Sequence, residues 1–215
     1  MTVSVNESFR KESAMNDKFY ALPQEKQNRI INAGFRVFSR NSYKKSPVQE
    51  IALEAGISKS LLFFYFRNKK ELYLFLWKKV EELVIESLKD YDPAKAKDLF
   101  DMMYQSLITK AKLLKDYPDI MNFSVKAYYE NDPDIRDDIR KIVNPYTNLN
   151  TNSRIPKLNP KDFKDGLDLE KMYKQIYLAS EGYLWQMSQT GNADLDKVVK
   201  DYKEMVDFWR VLFLK

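Results

Sequence analysis

Residues 46–72 have the sequence SPVQEIALEAGISKSLLFFYFRNKKEL, which predicts two short helices joined by a tight turn. Ser46 is of the N-cap type, and Gln49 completes a capping box with it. Gly56 stands where a helix that ends needs a left-handed residue. Ser58 can cap a second helix two residues later. This succession of cap, two turns, glycine, cap and second helix is typical of a helix-turn-helix.

The charge of the chain is concentrated around this stretch. The net charge is +5, and residues 1–71 carry 13 lysines and arginines against 7 carboxylates. Residues 72–215 carry 23 against 24, so the whole excess lies in the first third. A phosphate backbone would attract that third. A membrane surface or an acidic protein would be attracted as well, so the charge supports the motif without replacing it.

The composition restricts the chemistry. The 215 residues include no cysteine and no histidine, which excludes disulfides, catalytic triads and histidine-based metal sites. We therefore predict no cofactor, no metal and no enzymatic activity, with a carboxylate-based helical enzyme as a remote alternative. No apolar run is long enough to cross a membrane, and the N-terminus lacks the apolar core of a signal peptide. We predict a cytoplasmic protein that does not bind membranes.

Helical periodicity continues through the chain, and no strand-like alternation is present. The first helix should begin at Pro23 and end near Asn41, which we expect in the left-handed conformation. A long helix should follow Lys70 and end before Asp92. Further helices are predicted from Leu99 to Tyr117 and over 119–130, 134–144, 167–190 and 194–213. Residues 144–161 contain three prolines and five asparagines and predict a long loop.

Between Arg29 and Trp77 the chain resembles the TetR family of transcriptional repressors. The matching residues are Ile30-Ile31, Ala33, Phe35, Phe38, Tyr43, Ile51-Ala52, Ala55-Gly56-Ile57-Ser58-Lys59, Leu62, Tyr65-Phe66 and Lys69-Lys70-Glu71-Leu72. One departure is Ser42, where the family usually has glycine. The resemblance implies an all-α fold with an N-terminal three-helix helix-turn-helix domain over 1–71, ordered from about 23. A C-terminal helical domain for effector binding and dimerisation would occupy 72–215.

The resemblance also implies the partners, which are a double-stranded DNA operator, a small-molecule effector of unknown identity and a second copy of the chain. Lys59 and Ser60 would reach base edges or nearby phosphates, and Leu61 and Phe63 could lie against thymine methyls. Lys45, Ser46, Gln49, Tyr65 and Lys70 would hold phosphates. We expect Phe64 and Phe66 to pack in the core, and leave Phe63 open between core and groove.

Dimerisation and effector binding are assigned to the later helices. The last two carry more apolar residues than one buried stripe needs, which indicates either a fully buried pair or an oligomer interface. The family dimerises through these helices, so we predict an interface that includes Tyr173, Tyr177, Leu184, Tyr202, Met205 and Trp209. Candidate pocket residues are Met103, Tyr104, Phe123, Tyr128 and Trp185. The alternative function is a helical ligand- or protein-binding module that keeps the helix-turn-helix only as scaffold.

Overall fold

The computed structural model describes residues 17–89, 91–147, 158–189 and 194–215, and this part of the chain is built from helices without a strand. The principal helices are α1 (Gln24–Arg40), α2 (Val48–Glu54), α3 (Lys59–Tyr65), α4 (Lys69–Ser87), α5 (Leu99–Ala111), α6 (Ile120–Tyr128), α7 (Arg136–Thr147), α8 (Leu169–Gln189) and α9 (Leu195–Phe213). Single helical turns are present at Asp17–Tyr20, Pro93–Lys95, Lys112–Lys115 and Pro160–Asp162. The predicted all-α class, with the helix-turn-helix at the N-terminal end, is confirmed.

Two predicted helix ends are wrong. The helix that begins at Leu99 ends at Ala111, and a 3-10 turn, Lys112–Lys115, replaces its last turn. The break expected at Asn144-Pro145 is too early, since α7 continues to Thr147. A proline removes only one amide donor, and near a helix end the earlier hydrogen bonds persist. The other residues of the predicted loop are described only from residue 158 onward, so 148–157 lie outside the described residues.

The turn after α1 also differs from the prediction. Asn41 has φ −124° and ψ 160°, which is extended and not left-handed. Its side-chain amide Nδ2 donates to the Val37 carbonyl at 3.3 Å. In a left-handed cap, a backbone amide beyond the helix donates to a carbonyl of the last turn. Here the Asn41 side chain makes that hydrogen bond instead.

The buried apolar residues form two clusters. The first joins α1–α4 to α6 and α7, and Phe123 of α6 lies in it with no exposed surface. The second joins α5, α8 and α9 around Phe100, Ile176 and Val206. The first cluster crosses the predicted boundary at 71/72, so α6 and α7 share a core with the N-terminal domain. The domain boundary itself stays a prediction.

Candidate functional site

The turn between α2 and α3 has the geometry that its glycine predicts. Gly56 has φ +67°, and its amide donates to the Leu53 carbonyl at 3.0 Å. The Ile57 amide donates to the Ala52 carbonyl, also at 3.0 Å. This pair of bonds is the Schellman arrangement, which ends α2 and redirects the chain. The left-handed glycine predicted from the sequence is confirmed.

Of the two helix caps predicted for this motif, one is present and the other is not. Ser58 caps α3, since its hydroxyl oxygen accepts the Leu61 amide at 3.1 Å. Ser46 does not cap α2, because the helix begins one residue later with Pro47 in the cap position. The Ser46 side chain is buried, and its hydroxyl donates to the Ser42 carbonyl at 2.9 Å. It therefore holds the preceding turn together.

Helix α3 has one buried side and one open side. Leu62 and the following Phe66 are fully buried and fix the helix on the first core. Lys59, Ser60 and Leu61 are exposed. The open side thus carries the first turn of the helix, which is where a recognition helix contacts base edges.

The aromatic residues of α3 divide between these two sides. Tyr65 is mostly buried, and Phe63 is half-buried with the Lys59 ammonium 5.8 Å from its ring centre. The expectation that Phe64 packs in the core is wrong, since its side chain is 56% exposed. The Lys18 ammonium covers the Phe64 ring at 4.0 Å, which a core position would not allow.

The other predicted phosphate contacts flank the exposed helix. Lys45 and Gln49 lie on the surface before and within α2. Lys70, in the first turn of α4, forms an ion pair with Asp138 of α7 at 2.6 Å. Of the nine residues predicted to contact DNA, the structure leaves five exposed, namely Lys45, Gln49, Lys59, Ser60 and Leu61. The Ser60 hydroxyl shares a hydrogen bond with that of Ser58 at 2.9 Å. Phe63 is half-buried and Ser46 is buried.

Polar contacts connect this N-terminal part to the residues that flank α6. Arg36 Nε donates to Asp119 at 3.3 Å, where α6 begins. The Tyr43 amide donates to Glu130 at 2.8 Å, just past the end of the same helix. The two ends of α6 are thus each held by the helix-turn-helix domain.

A cavity of about 420 Å³ lies on the other side of α6, between α4, α5, α6 and α8. Its volume is within the range of small-molecule sites. Most of the lining is apolar, and it includes Trp77, Val80, Val84, Leu107, Leu114, Ile120, Met121, Val125, Leu184 and Val198. The polar lining residues are Glu81, Lys110, Ser124, Tyr128, Tyr129, Tyr177 and Glu181.

Several of these polar groups act on one another. Burial raises the pKa of Glu181, although a hydrogen bond from Tyr177 and the charge of Lys110 oppose this. Burial likewise raises the pKa of Tyr177, and the charge of Glu181 adds to the effect. Burial lowers the pKa of Lys110, which the charge of Glu181 opposes. The groups therefore form one coupled polar region in an otherwise apolar cavity.

The structure places only one of the five predicted pocket residues in this cavity, namely Tyr128. Phe123 is fully buried in the first core, and Met103 and Tyr104 pack on the second. Trp185 is 39% exposed and stacks edge-on against Tyr129 at 4.6 Å. Sequence reasoning missed Lys110 and Glu181, because a single charged residue on a helix is usually solvated.

The predicted dimer residues are also placed differently. Two of them, Tyr202 and Trp209, are buried inside the chain. Two line the cavity, namely Tyr177 and Leu184. The other two, Tyr173 and Met205, are partly buried against the second core. The second apolar side of these helices is formed instead by exposed residues. They are Leu178, Trp185, Phe208, Val211 and Leu212, and we call them the exposed α8–α9 face.

Comparison with known proteins gives one consistent result. Residues 30–75 match the family described as bacterial regulatory proteins, tetR family. The fatty acid metabolism regulator protein of Bacillus subtilis (strain 168) is 23% identical over 154 residues, which are 71% of this chain and 78% of that protein.

Solved structures agree in fold. A TetR family transcriptional regulator from Chloroflexus aurantiacus J-10-fl superposes with a TM-score of 0.63 at 18% identity, over 93% of this chain and 98% of that one. The transcriptional regulator FadR from Bacillus subtilis, in complex with stearoyl-CoA, gives 0.53 at 20% identity, over 83% and 96%. Within the described residues, we find no helix with the length and apolar character to cross a membrane.

Proposed function

Because the chain belongs to the TetR family of transcriptional regulators, we propose that it is a repressor that binds a near-palindromic operator as a homodimer. A small molecule that fills the cavity would release it. Residues 1–71 would form the DNA-binding domain and residues 72–215 the effector and dimer domain. Proteins of this family act on transcription and are not enzymes. The role implies a cytoplasmic location, together with the DNA.

The observation that carries the proposal is the exposed first turn of α3 in the most basic third of the chain. Lys59 and Ser60 stand at the start of a helix that is fixed by Leu62 and Phe66 and open on its other side. Such a helix can enter a major groove without rearrangement of its own core. Phosphate contacts would come from Lys45, Gln49, Tyr65 and Lys70, and apolar contacts from Leu61 and Phe63. The Ser46 side chain is left out, because its hydroxyl is engaged by Ser42.

Dimerisation would supply the second half of the interface. One helix-turn-helix contacts too little DNA for tight and specific binding, and a two-fold pair presents two recognition helices roughly 34–36 Å apart. The exposed α8–α9 face supports this assembly, since Phe208 is 63% and Val211 is 77% exposed in the single chain. Large apolar side chains grouped on a surface in this way favour a protein interface.

The effector would be a largely apolar molecule. The cavity lining is dominated by aliphatic side chains, and the similar protein FadR was solved with stearoyl-CoA. We therefore propose a ligand with a long hydrocarbon chain. Met121 and Val125 of α6 face the cavity, whereas Phe123 and Ala127 face the first core. A ligand that displaces α6 would therefore act on the Asp119 and Glu130 contacts at its ends and move the DNA-binding domain.

Selection of bound duplexes from a random DNA library, using the full chain, tests this function. We expect an enriched near-palindrome, and affinity for it that falls steeply with salt concentration while a scrambled duplex binds weakly. A hydrodynamic mass of two chains should accompany binding. If no sequence is enriched and binding to every duplex is equally weak, the proposal is wrong, and the helix-turn-helix is a scaffold in a ligand- or protein-binding module.

A further inference from the structure

Lys110 is a cation in an apolar cavity. It is the single lysine or arginine among the described residues that line the 420 Å³ space. Within the described part of the chain, its ammonium has no carboxylate within 4.0 Å and no hydrogen-bond acceptor, although the charge of Glu181 acts on it from farther away. The residue is exposed by its accessible surface, while desolvation by the helices around its ammonium lowers the pKa of Lys110 and the charge of Glu181 opposes this.

The two carboxylates of the cavity are already engaged. Tyr177 hydrogen-bonds to Glu181, and burial raises the pKa of Glu181 while that hydrogen bond and the charge of Lys110 oppose the shift. Glu81 has an interaction partner of its own. Lys110 is therefore the one cation among the described lining residues, coupled to Glu181 by charge but without an ion pair at contact distance. A charged donor beside apolar side chains binds an anion more strongly than it does in water.

We propose that Lys110 binds an anionic head group on the effector, while the hydrocarbon chain of the same molecule occupies the apolar remainder of the cavity. The proposal rests on the proposed function and adds the chemistry of the head group. The anion supplies an acceptor for the Lys110 ammonium. Tyr128 and Tyr177, which line the same space, can donate further hydrogen bonds to it. The charged group is a carboxylate in a free fatty acid or belongs to the phosphorylated carrier in an acyl thioester.

The test uses four ligands that share a twelve-carbon chain and differ in the head group. They are dodecanoate, 1-dodecanol, dodecyltrimethylammonium and dodecanoyl-CoA. Binding to the full chain is followed by tryptophan fluorescence, to which Trp77 in the cavity lining contributes, with calorimetry as a second readout. We expect dodecanoate to bind at least about tenfold more tightly than dodecanol, as a charge-assisted hydrogen bond implies.

Variants assign that difference to one residue. Lys110→Met should remove the preference for dodecanoate and leave the affinity for dodecanol unchanged, which also shows that the variant is folded. Lys112→Met is the matched control, because Lys112 is exposed as Lys110 is but does not line this cavity, and it should keep the preference. If Lys110→Met weakens dodecanoyl-CoA more than dodecanoate, the source of the anion is the thioester. The reverse result assigns it to the free acid.

Three results would overturn the proposal. They are equal affinities of dodecanoate and dodecanol for the wild-type chain, tighter binding of the ammonium compound, and a preference that survives Lys110→Met. None of these measurements contains DNA. A chain that selects an operator but shows one of these results would refute the head-group site alone, whereas failure to select any operator would refute the proposed function.

Discussion

The Lys70 ammonium lies 2.6 Å from the Asp138 carboxylate, which joins the first turn of α4 to α7. Lys70 is also a proposed phosphate contact, and in that role it would have to exchange the Asp138 carboxylate for DNA. Both side chains are partly exposed, at 43% and 35%. Pairs of this kind contribute about 0–1 kcal/mol. Such a competition would be weak enough for DNA to displace Asp138 and strong enough to alter the affinity.

Asp138→Asn should raise the affinity for the selected operator about two- to fivefold at low salt, because Lys70 no longer has to leave a carboxylate. The gain should shrink as salt screens the pair. Fluorescence anisotropy with labelled duplex at several salt concentrations measures both effects. Asp137→Asn is the control, since Asp137 pairs only with its neighbour Arg136 among the described residues. An increase in both variants would indicate a general charge effect, and no increase in Asp138→Asn would refute the competition.

Gly56→Ala should destabilise the chain by about 1–2 kcal/mol and weaken operator binding. The left-handed backbone, with φ +67°, is unfavourable for a residue with a Cβ atom, although the added atom would meet no neighbour within 4 Å. Gly56→Asn should lose less stability and less operator affinity than Gly56→Ala, because asparagine tolerates this conformation better than alanine. Urea unfolding and anisotropy give the two quantities.

Gly166→Ala is the matched control, since it places the same substitution at a left-handed glycine elsewhere in the chain. Gly166 also has a positive φ, +81°, with open space around it, but it lies outside the helix-turn-helix. The Gly166→Ala variant should lose about as much stability as Gly56→Ala, but its affinity for the operator should not change. If Gly56→Ala leaves both stability and binding intact, the turn is less constrained than the structure indicates.

The helix-turn-helix could be predicted closely from sequence, because each of its features is local. The left-handed Gly56 and the Ser58 cap depend on a few neighbouring residues, and both were correctly predicted. Ser46 shows the limit of such reasoning, since any serine before a proline reads as a cap. Its burial comes from the turn that precedes α2, where its hydroxyl reaches the Ser42 carbonyl. The prediction for Phe64 was wrong for a related reason. A run of four aromatic residues does not show which of them faces outward.

The cavity and the exposed α8–α9 face could not be predicted residue by residue. Tyr128 and Phe123 are both aromatic residues of α6, and only the packing of α4, α5 and α8 around that helix puts the first at the cavity and the second in the core. Likewise, Phe208 and Trp209 are adjacent, yet one is 63% exposed and the other 8%. The sequence showed that α8 and α9 have two apolar sides, but the side that the core uses is decided by distant helices.

Phe123→Ala should lower the free energy of unfolding by about 3–5 kcal/mol, which is typical for a large core aromatic. The Phe123 ring lies 5.0 Å from that of Phe35 in α1 and 5.3 Å from that of Tyr73 in α4. Phe64→Ala removes the same group from an exposed position and should change the stability by no more than about 1 kcal/mol. Urea unfolding of both variants is the measurement, and equal losses would contradict the assigned burial.

Phe208→Asp should convert the proposed dimer to a single chain. A carboxylate in place of Phe208, which belongs to the exposed α8–α9 face, would be desolvated in a two-fold interface, once from each copy. Light scattering after size exclusion measures the mass. Leu53→Asp is the control, because Leu53 is 75% exposed on α2 and is not part of this face, so the variant should keep the mass of two chains. A Phe208→Asp protein that retained the wild-type mass would exclude this face as the interface.

The last prediction concerns acid stability and the Asp98–Arg210 pair, which connects α5 to α9. Arg210 Nε donates to Asp98 Oδ2 at 2.9 Å, and the Asp101 amide donates to Oδ1 at 2.7 Å. Burial alone would raise the pKa of Asp98, but the hydrogen bonds from Arg210 and from the backbone, together with the Arg210 charge, hold it below its ordinary value of 3.8. A lowered carboxylate pKa stabilises the fold fully above that ordinary value, and the contribution is lost as the pH falls through the lowered pKa.

Asp98→Asn keeps a side chain that can cap α5 and removes the charge, so it should destabilise the chain by about 1–2 kcal/mol at pH 7. Asp98→Ala loses the cap as well and should lose about 1 kcal/mol more. In urea unfolding between pH 7 and pH 2, the difference between wild type and Asp98→Asn should stay constant down to about pH 4 and then shrink, since both chains lack the charge once Asp98 is protonated. A difference that persists at pH 2 would show that Asp98 stabilises the α5–α9 contact through its shape and not through its charge.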